Sequence, residues 1–407
     1  MMPPTPKRIL FFSLTYHPFI GGAEVAIKET TDRIAPEEYA FDMITLRFDH
    51  ALPKFERIGN IDVFRIGFTS QGAKIQDFKK FPFVLDKYLY PFWALAVAVV
   101  LHRRKHYDAV CSVMTSYSSF APLFFKYLFP GVSYIVRSDD GDPIDYLKKR
   151  VGFFYPLFKR VFTKADFAIT TSSYLERFVR SMGYRGLLAV VPNGVNASHF
   201  SQWYPPEVLK ELERKLGKKS GDAYLITTSR LVKKNGIDDV IRALPLLPAH
   251  VSFLIFGIGP DESKLRALAA ELGVEDRARF MGQIGHVDMP KYLKVSDIYI
   301  RPSLSEGFGI VFVEAMAAEL PVIATQEGGI ADFLFDAKRN PDRPTTGWAV
   351  DKASPRQIAA AVQDILTHPE QVVRVKATAK KMAFEKYDWG LIAREMQTAF
   401  DRVFQNR

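Results

Sequence analysis

Two carboxylates, Glu306 and Glu314, stand eight positions apart in the run Ser305-Glu306-Gly307-Phe308-Gly309-Ile310-Val311-Phe312-Val313-Glu314-Ala315-Met316-Ala317. Between them lie two glycines and the entry into an apolar stretch. Glycine lets backbone pass close to a ligand, and the N–H groups that open a helix favour an anion. From Ile310 to Leu320 nearly every position is apolar except Glu314, so a buried helix is expected. A carboxylate inside it is costly unless it is hydrogen-bonded or faces a cleft. Were both glutamates helical, they would be separated by a rise of about 12 Å and a rotation of about 80°. That reach suits a ligand with a hydroxyl-bearing group at each end and phosphate between, the shape of a nucleotide sugar. An N-capping Glu followed by a structurally satisfied helical Glu explains the same spacing, so the neighbouring sequence must decide.

The elements that would hold such a pair read as two series of short apolar runs alternating with amphipathic stretches, the pattern of doubly wound α/β domains. The first series places strands at 8–14, 41–46, 61–66, 109–113, 133–136, 167–170 and 188–191. The second places them at 223–228, 251–256, 278–281, 298–301, 322–325 and 347–350, with helical patterns such as 238–247 and 262–272 between. Residues 201–220 are polar, rich in Lys and Glu and punctuated by Pro205-Pro206. The expected domains are therefore 1–200 and 201–385. A terminal helix within 386–407, with Leu391, Ile392, Met396, Phe400 and Val403 on its apolar positions, caps its own domain or crosses back onto the first.

In open α/β sheets the loops after strand ends line the ligand crevice. After 223–228 comes Ser229-Arg230-Leu231-Val232-Lys233-Lys234-Asn235-Gly236, where a guanidinium and an ammonium can neutralise a diphosphate. Phe256-Gly257-Ile258-Gly259-Pro260 has G-x-G after a strand, but Pro260 and Asp261 replace the rest of the dinucleotide fingerprint, which excludes an NAD reading. Gly328-Gly329 is a further turn whose amides could meet phosphate. In the first half, the strand at 8–14 runs into Pro18-Phe19-Ile20-Gly21-Gly22-Ala23-Glu24, either a diphosphate contact at a helix N-terminus or a plain tight turn.

The chain has 407 residues, enough for two large domains, and a globular composition. The single Cys111 excludes an intramolecular disulfide and fits a reducing compartment. The first apolar run is too short for a secretory signal. The net charge of +10 is uneven: residues 1–200 hold 26 Lys and Arg against 18 Asp and Glu, an excess of eight. No zinc-finger spacing or RNP-type aromatic motif accompanies it, so nucleic acid is not the expected partner. The apolar run 92–101 is about half of what spans a bilayer, with Asp86, Lys87 and Pro91 before it, and is expected to pack on its own domain. Phe78-Lys79-Lys80-Phe81 and the stretch 146–164, with Lys148-Lys149-Arg150 before Phe153-Phe154-Tyr155, interleave aromatics with cations as membrane-surface contacts do.

Taken in order, Pro-x-x-Gly-Gly-Ala-Glu at 18–24, Pro-Asn-Gly-Val at 192–195, Ser-Arg-Leu-Val at 229–232, Gly-x-Gly-Pro at 257–260 and Glu-x7-Glu at 306–314 resemble the retaining glycosyltransferases of family 4. The resemblance spans essentially the whole chain. It implies the α/β GT-B architecture, two Rossmann-like domains facing a central cleft. It also implies transfer of a sugar from a nucleotide-sugar donor, a UDP-sugar or GDP-mannose, to an acceptor hydroxyl in cell-surface glycan or glycolipid synthesis. Carried onto matching positions, Glu314 would bond the donor ribose and Glu306 the sugar hydroxyls. Gly307, Phe308, Gly309 and Ile310 would lend the backbone around the sugar-phosphate. Arg230 and Lys234 would stabilise the departing diphosphate, with Gly257 beside them and Gly21 and Gly22 meeting it from the first domain. No metal or cofactor is expected, so Asp139-Asp140 and Asp238-Asp239 read as solvated acidic pairs.

Two positions leave the family pattern. Many members carry Lys where this chain has Asn235, which hands that role to Lys234 or Lys233. Many also carry a His after the fifth strand of the first domain, where this chain has Arg137-Ser138-Asp139-Asp140-Gly141-Asp142. Arg137, Asp139 and Asp142 are the expected acceptor contacts. Expected partners are the donor, a glycan or lipid-linked acceptor and an anionic membrane surface, in the cytoplasm and peripheral to the inner face of the cell membrane. A nucleotide-sugar epimerase or phosphorylase of the same fold, or a binding protein without catalysis, are the competing readings.

Overall fold

A computed structural model describes residues 5–19, 21–73, 77, 80–142 and 151–405. Phe78-Lys79 and Lys148-Lys149-Arg150 lie outside the described residues. The chain divides into two compact units, 1–193 with 389–407, and 194–388.

The apolar runs of the first half form one sheet: β1 (Lys7–Phe12), β2 (Tyr39–Asp49), β3 (Phe55–Ile58), β4 (Ile61–Ser70), β5 (Ala109–Val113), β6 (Ser133–Ser138), β7 (Phe167–Thr170) and β8 (Leu187–Val190). Their order is β3-β4-β2-β1-β5-β6-β7-β8. All neighbours are parallel except β3, which hairpins onto β4. The sequence reading passed over β3 because its run Phe55-Glu56-Arg57-Ile58 is short and half charged. The signal was the following Gly59-Asn60, with Gly59 at φ +56, a hairpin turn. Helices cover both faces. On one lie α1 (Gly22–Thr31) and the C-terminal helix (Trp389–Gln405). On the other lie α2 (Phe83–Lys105), α3 (Phe120–Leu128), α4 (Tyr155–Thr163) and α5 (Ser173–Ser181).

Of the two expectations for the C-terminal helix, the structure has the second. Trp389, Ile392, Met396, Phe400 and Val403 are buried in one cluster with Ile9 and Phe41, and Tyr39 bonds Asp401 Oδ1 at 2.5 Å. The boundary between units also falls earlier than the Lys/Glu-rich stretch suggests. Val195, Ala197 and Phe200 already belong to the second core, and the Val195 amide donates to the Tyr387 carbonyl at 2.6 Å.

The second unit holds α6 (Ala197–Ser201), α7 (Pro206–Leu216), α8 (Ile237–Ala243), α9 (Glu262–Glu271), α10 (Met289–Lys294), α11 (Ile310–Ala317), α12 (Pro355–Thr367) and α13 (Pro369–Lys386). Its strands are β9 (Ala223–Thr228), β10 (Val251–Phe256), β11 (Ala278–Gly282), β12 (Ile298–Arg301), β13 (Val322–Ala324) and β14 (Trp348–Ala349). They are parallel, in the order β11-β10-β9-β12-β13-β14. The central strands β9 and β12 are buried throughout, as continuous apolar runs in a sheet covered on both faces should be.

Candidate active site

In the second unit, the loops after β10, β9, β12 and β13 come from neighbouring strands and are stitched together backbone to backbone. Ser229 N donates to Phe256 O at 2.9 Å, Leu304 N to Lys234 O at 2.7 Å, and Gly329 N to Glu306 O at 3.0 Å. The glycines make this approach possible. A Cβ on Gly257 would lie 1.8 Å from the Ser229 carbonyl oxygen, and one on Gly328 1.9 Å from that of Glu306. Gly257 is therefore a packing glycine: its φ is +134 and its own amide is taken by Gly282 O at 2.7 Å.

Glu306, Gly307, Phe308, Gly309 and Ile310 converge where β12 gives way to α11. Glu306 lies in the loop, four residues before the first helical position, so the helical rise and rotation between the two glutamates do not apply. Its Oε2 pairs with Arg301, the last residue of β12, and its Oε1 accepts the Gly307 amide at 3.1 Å. The Arg301 guanidinium lies 4.6 Å from the centroid of the Phe312 ring. Gly309 caps α11 at φ +92, a conformation costly for any side chain. Phe308 is a core residue, 5.3 Å from Phe333 and 5.5 Å from Tyr387 between ring centroids. In the first turn of α11 the Phe312 amide donates to the Gly309 carbonyl at 3.1 Å, and the amides ahead of it are the kind that a helix opening leaves to an anion.

Glu314, buried on α11, is bonded at Oε1 by His286 Nε2 at 3.2 Å. His286 stacks on His199 at 5.4 Å. Neither Arg301 nor His286 was singled out from the sequence. Arg301 carried a signal, a cation closing an apolar strand at the sheet's C-terminal end. His286 carried none, since it meets Glu314 only through the fold.

Arg230 is exposed on the same edge. Asn235 is buried, and its side chain donates to the Arg230 carbonyl at 2.6 Å, so it closes the loop instead of reaching a ligand. Lys233 is paired with Asp238. Lys234 accepts the Leu304 amide through its carbonyl at 2.7 Å, which ties its backbone to the loop that carries Glu306. Among the described residues, the buried side-chain polar atoms of this unit without a hydrogen-bond partner are Thr227 Oγ1, Ser229 Oγ, Arg301 Nε and Ser303 Oγ. All four sit at the C-terminal ends of β9 and β12, the edge where ligands bind open sheets. Buried polar groups are nearly always paired, so four orphans on one edge mark a place prepared for a polar ligand.

In the first unit the loops after β1, β5 and β6, three adjacent strands, form a second polar edge. Arg137 is buried and grips Asp139 with Nε at 2.8 Å and Nη2 at 2.9 Å, with Asn193 Oδ1 at 3.3 Å beyond. Asp140 is buried too, accepting the Thr115 amide at 2.8 Å and the Thr115 hydroxyl. Asp139-Asp140 is thus not a solvated pair: one carboxylate neutralises Arg137, and burial pushes the other up from the ordinary carboxylate range. Asp239 is likewise buried and raised, whereas Asp238 holds Lys233 at the surface. Asp142 is half-exposed at the end of a described segment.

Gly21 is the N-cap of α1 in extended backbone, with Gly22 as the first helical residue. A Cβ on Gly21 would stand 2.6 Å from Glu24 Oε2. Glu24, the last residue of the 18–24 motif, is buried, accepts the Thr15 hydroxyl at 2.5 Å, and is raised by burial. His17, in the loop after β1, is lowered, by burial first and Lys28 second. Among the described residues no three His, Cys, Asp or Glu side chains gather as a metal site.

Two α/β units with parallel sheets, ligand loops on the C-terminal edges and a glutamate pair around a helix N-terminus define a glycosyltransferase of the GT-B class. Residues 20–199 match the model of Glycosyltransferase Family 4, and residues 209–382 that of Glycosyl transferases group 1. The chain belongs to this family of glycosyltransferases. It is 28% identical over 279 residues to a GDP-mannose-dependent α-(1-6)-phosphatidylinositol monomannoside mannosyltransferase of Mycobacterium tuberculosis, covering 65% of this chain and 69% of the relative. It is 26% identical over 408 residues to an uncharacterized glycosyltransferase of Methanocaldococcus jannaschii, covering 95% and 96%. In fold it is similar to sucrose-phosphate synthase of Thermosynechococcus elongatus, with a TM-score of 0.80 at 20% identity over 98% of this chain and all of that one.

Proposed function

We propose that this glycosyltransferase moves a hexose from a UDP-sugar or GDP-mannose to a hydroxyl of a lipid-linked or glycan acceptor, with the anomeric configuration retained and without a metal. The carrying observation is the edge of the second unit, where Glu306, Glu314, Arg301 and the first turn of α11 stand among four orphaned buried polar atoms. Glu314 takes the donor's ribose and Glu306 its sugar. Arg230, Lys234 and the α11 amides meet the diphosphate as it leaves, the electrostatic term that dominates such catalysis. Gly21 and Gly22, at the start of α1, give the first unit a helix opening whose amides suit a phosphate. Arg137, Asp139, Asp140 and Asp142 form the polar edge that receives the acceptor. The mycobacterial relative is named for a phosphatidylinositol mannoside acceptor, which supports a lipid-linked acceptor and work at the anionic inner face of the cell membrane, in the cytoplasm.

The test is a thermal-shift panel of nucleotide sugars followed by turnover. A donor at about 100 times its dissociation constant stabilises by about 2.7 kcal/mol, which separates UDP from GDP donors. Nucleoside diphosphate should appear only when acceptor is present, which an epimerase would not require. Glu306→Gln, Glu314→Gln and Arg230→Ala should each lower turnover; wild-type rates in all three would sink the assignment.

A further inference from the structure

We propose that the outer face of α2, continued by the outer ends of α3 and α4, is the docking surface for an anionic lipid bilayer. This deepens the membrane-surface reading above and rests on it. The 23-residue helix α2 packs Phe83, Asp86, Tyr90, Ala94, Ala98 and Leu101 against the sheet. A surface helix ordinarily turns polar residues outward. Here the outward positions are Leu85, Tyr88, Phe92, Ala96 and Val100, spaced by three or four residues and therefore on one stripe. The stripe runs about 22 Å before it ends at exposed Arg103 and Arg104. Phe92 is 61% exposed, and only 28% of the helix's most apolar window is buried, too little for a core helix.

The neighbours extend the surface. Tyr88 meets Tyr117 edge-on at 5.1 Å, and Phe92 stacks on Phe124 of α3 at 6.1 Å. Tyr127 and Leu128 at the end of α3 are exposed, and Phe153, just before α4, is 94% exposed. Arg160 of α4 reaches the Tyr127 hydroxyl at 3.3 Å.

Charge selects the occupant. The helices α2, α3 and α4 together contain one carboxylate, Asp86, and it is buried on the inner face. The helices on the opposite face of the same sheet carry Glu24, Glu29, Glu395 and Asp401. Apolar and aromatic side chains flanked by Arg103, Arg104, Lys159 and Arg160, with no acid among them, suit phosphate headgroups over acyl chains. The helix lies on the bilayer and does not cross it, because its other face is committed to the sheet. At one end the surface dips into an apolar cavity lined by Tyr117, Phe120, Phe154 and Phe158 and by Thr115, the partner of Asp140.

The experiment is co-sedimentation of the full chain with phosphatidylcholine vesicles, with and without phosphatidylglycerol, alongside the donor thermal shift. Wild type should sediment with the anionic vesicles and be released by salt. Tyr88→Ser/Phe92→Ser/Val100→Ser should weaken binding about tenfold or more, and Arg103→Gln/Arg104→Gln should weaken it and flatten its salt dependence. Both variants should keep the wild-type donor shift, and Val373→Ser, an exposed apolar position of the second unit, should bind vesicles as wild type does. Undiminished binding by the triple variant would overturn this surface and leave the membrane reading standing. Failure of the wild type to bind either vesicle would overturn both, while an intact donor shift would leave sugar transfer untouched.

Discussion

Arg301→Met and Glu306→Gln, singly and together, test whether the Glu306 loop is held by the ion pair at the end of β12. Both side chains are largely buried, at 7% and 16% exposure. Removing one partner of a buried pair costs about 3–5 kcal/mol, chiefly because the other is left uncompensated. The partial exposure of Glu306 puts Arg301→Met at the lower end, and loss of the guanidinium over Phe312 adds about 0.5–1 kcal/mol, which the methionine sulfur partly restores. The double variant is neutral again, so its cost should fall short of the sum of the singles by about 2 kcal/mol. Native-state hydrogen exchange of the β12 and α11 amides reads the opening of this unit directly. Turnover adds a second readout: it should fall in each single variant, and the double should regain stability without regaining activity. Additivity within about 0.5 kcal/mol would show the two residues to be energetically independent and refute the argument.

Asp86 lies on the inner face of α2, where burial pushes its carboxyl up to about 6 against one bond from the Phe68 amide. The folded state therefore prefers the neutral acid, and stability is lost as pH rises towards the folded value. Asp86→Asn should gain about 2–3 kcal/mol above neutrality and nothing below about pH 3.5; equal gains at both ends in chemical denaturation would refute it. Gly257→Ala puts a Cβ 1.8 Å from a backbone carbonyl at φ +134 and should cost about 3 kcal/mol or more in melting experiments. Gly285→Ala, where a Cβ meets nothing within 4 Å, is the control and should stay within about 0.5 kcal/mol.

The strands at the two sheet centres were legible because a parallel strand buried on both faces has to be an unbroken apolar run. The loops bearing Arg230, Gly257 and Glu306 followed from where those runs stop. What escaped was whatever depends on a partner distant in sequence. Asn235 looks like a lost lysine until its amide is seen on the Arg230 carbonyl. Asp139-Asp140 looks solvated until Arg137 and Thr115 are found on either side. The length of α2 escaped for another reason: Asp86, Lys87 and Pro91 interrupt the apolar run in sequence, yet Asp86 turns inward and Pro91 is carried inside the helix.

The missing histidine of the first unit is best understood from the charges that replace it. Arg137 is a permanent cation paired with Asp139, with Nη2 also reaching Asn193, and its buried Nη1 has no hydrogen-bond partner among the described residues. Two further carboxyls near the strand ends, Glu24 and Asp140, are both shifted by burial towards their neutral forms, while Asp142 is half-exposed. On the proposed assignment, the acceptor edge holds its one guanidinium against Asp139 and is otherwise lined by hydrogen-bonding groups, which suits hydroxyl groups. On the same assignment the donor edge is the reverse: Arg230, Lys234 and helix-opening amides would concentrate positive potential where a diphosphate gains charge on leaving. Binding energy is thus most useful on the side where charge develops, and the acceptor edge needs only to align a hydroxyl. A ring that titrates near neutrality is not required for that alignment, so this chain's loss of the histidine is compatible with transfer.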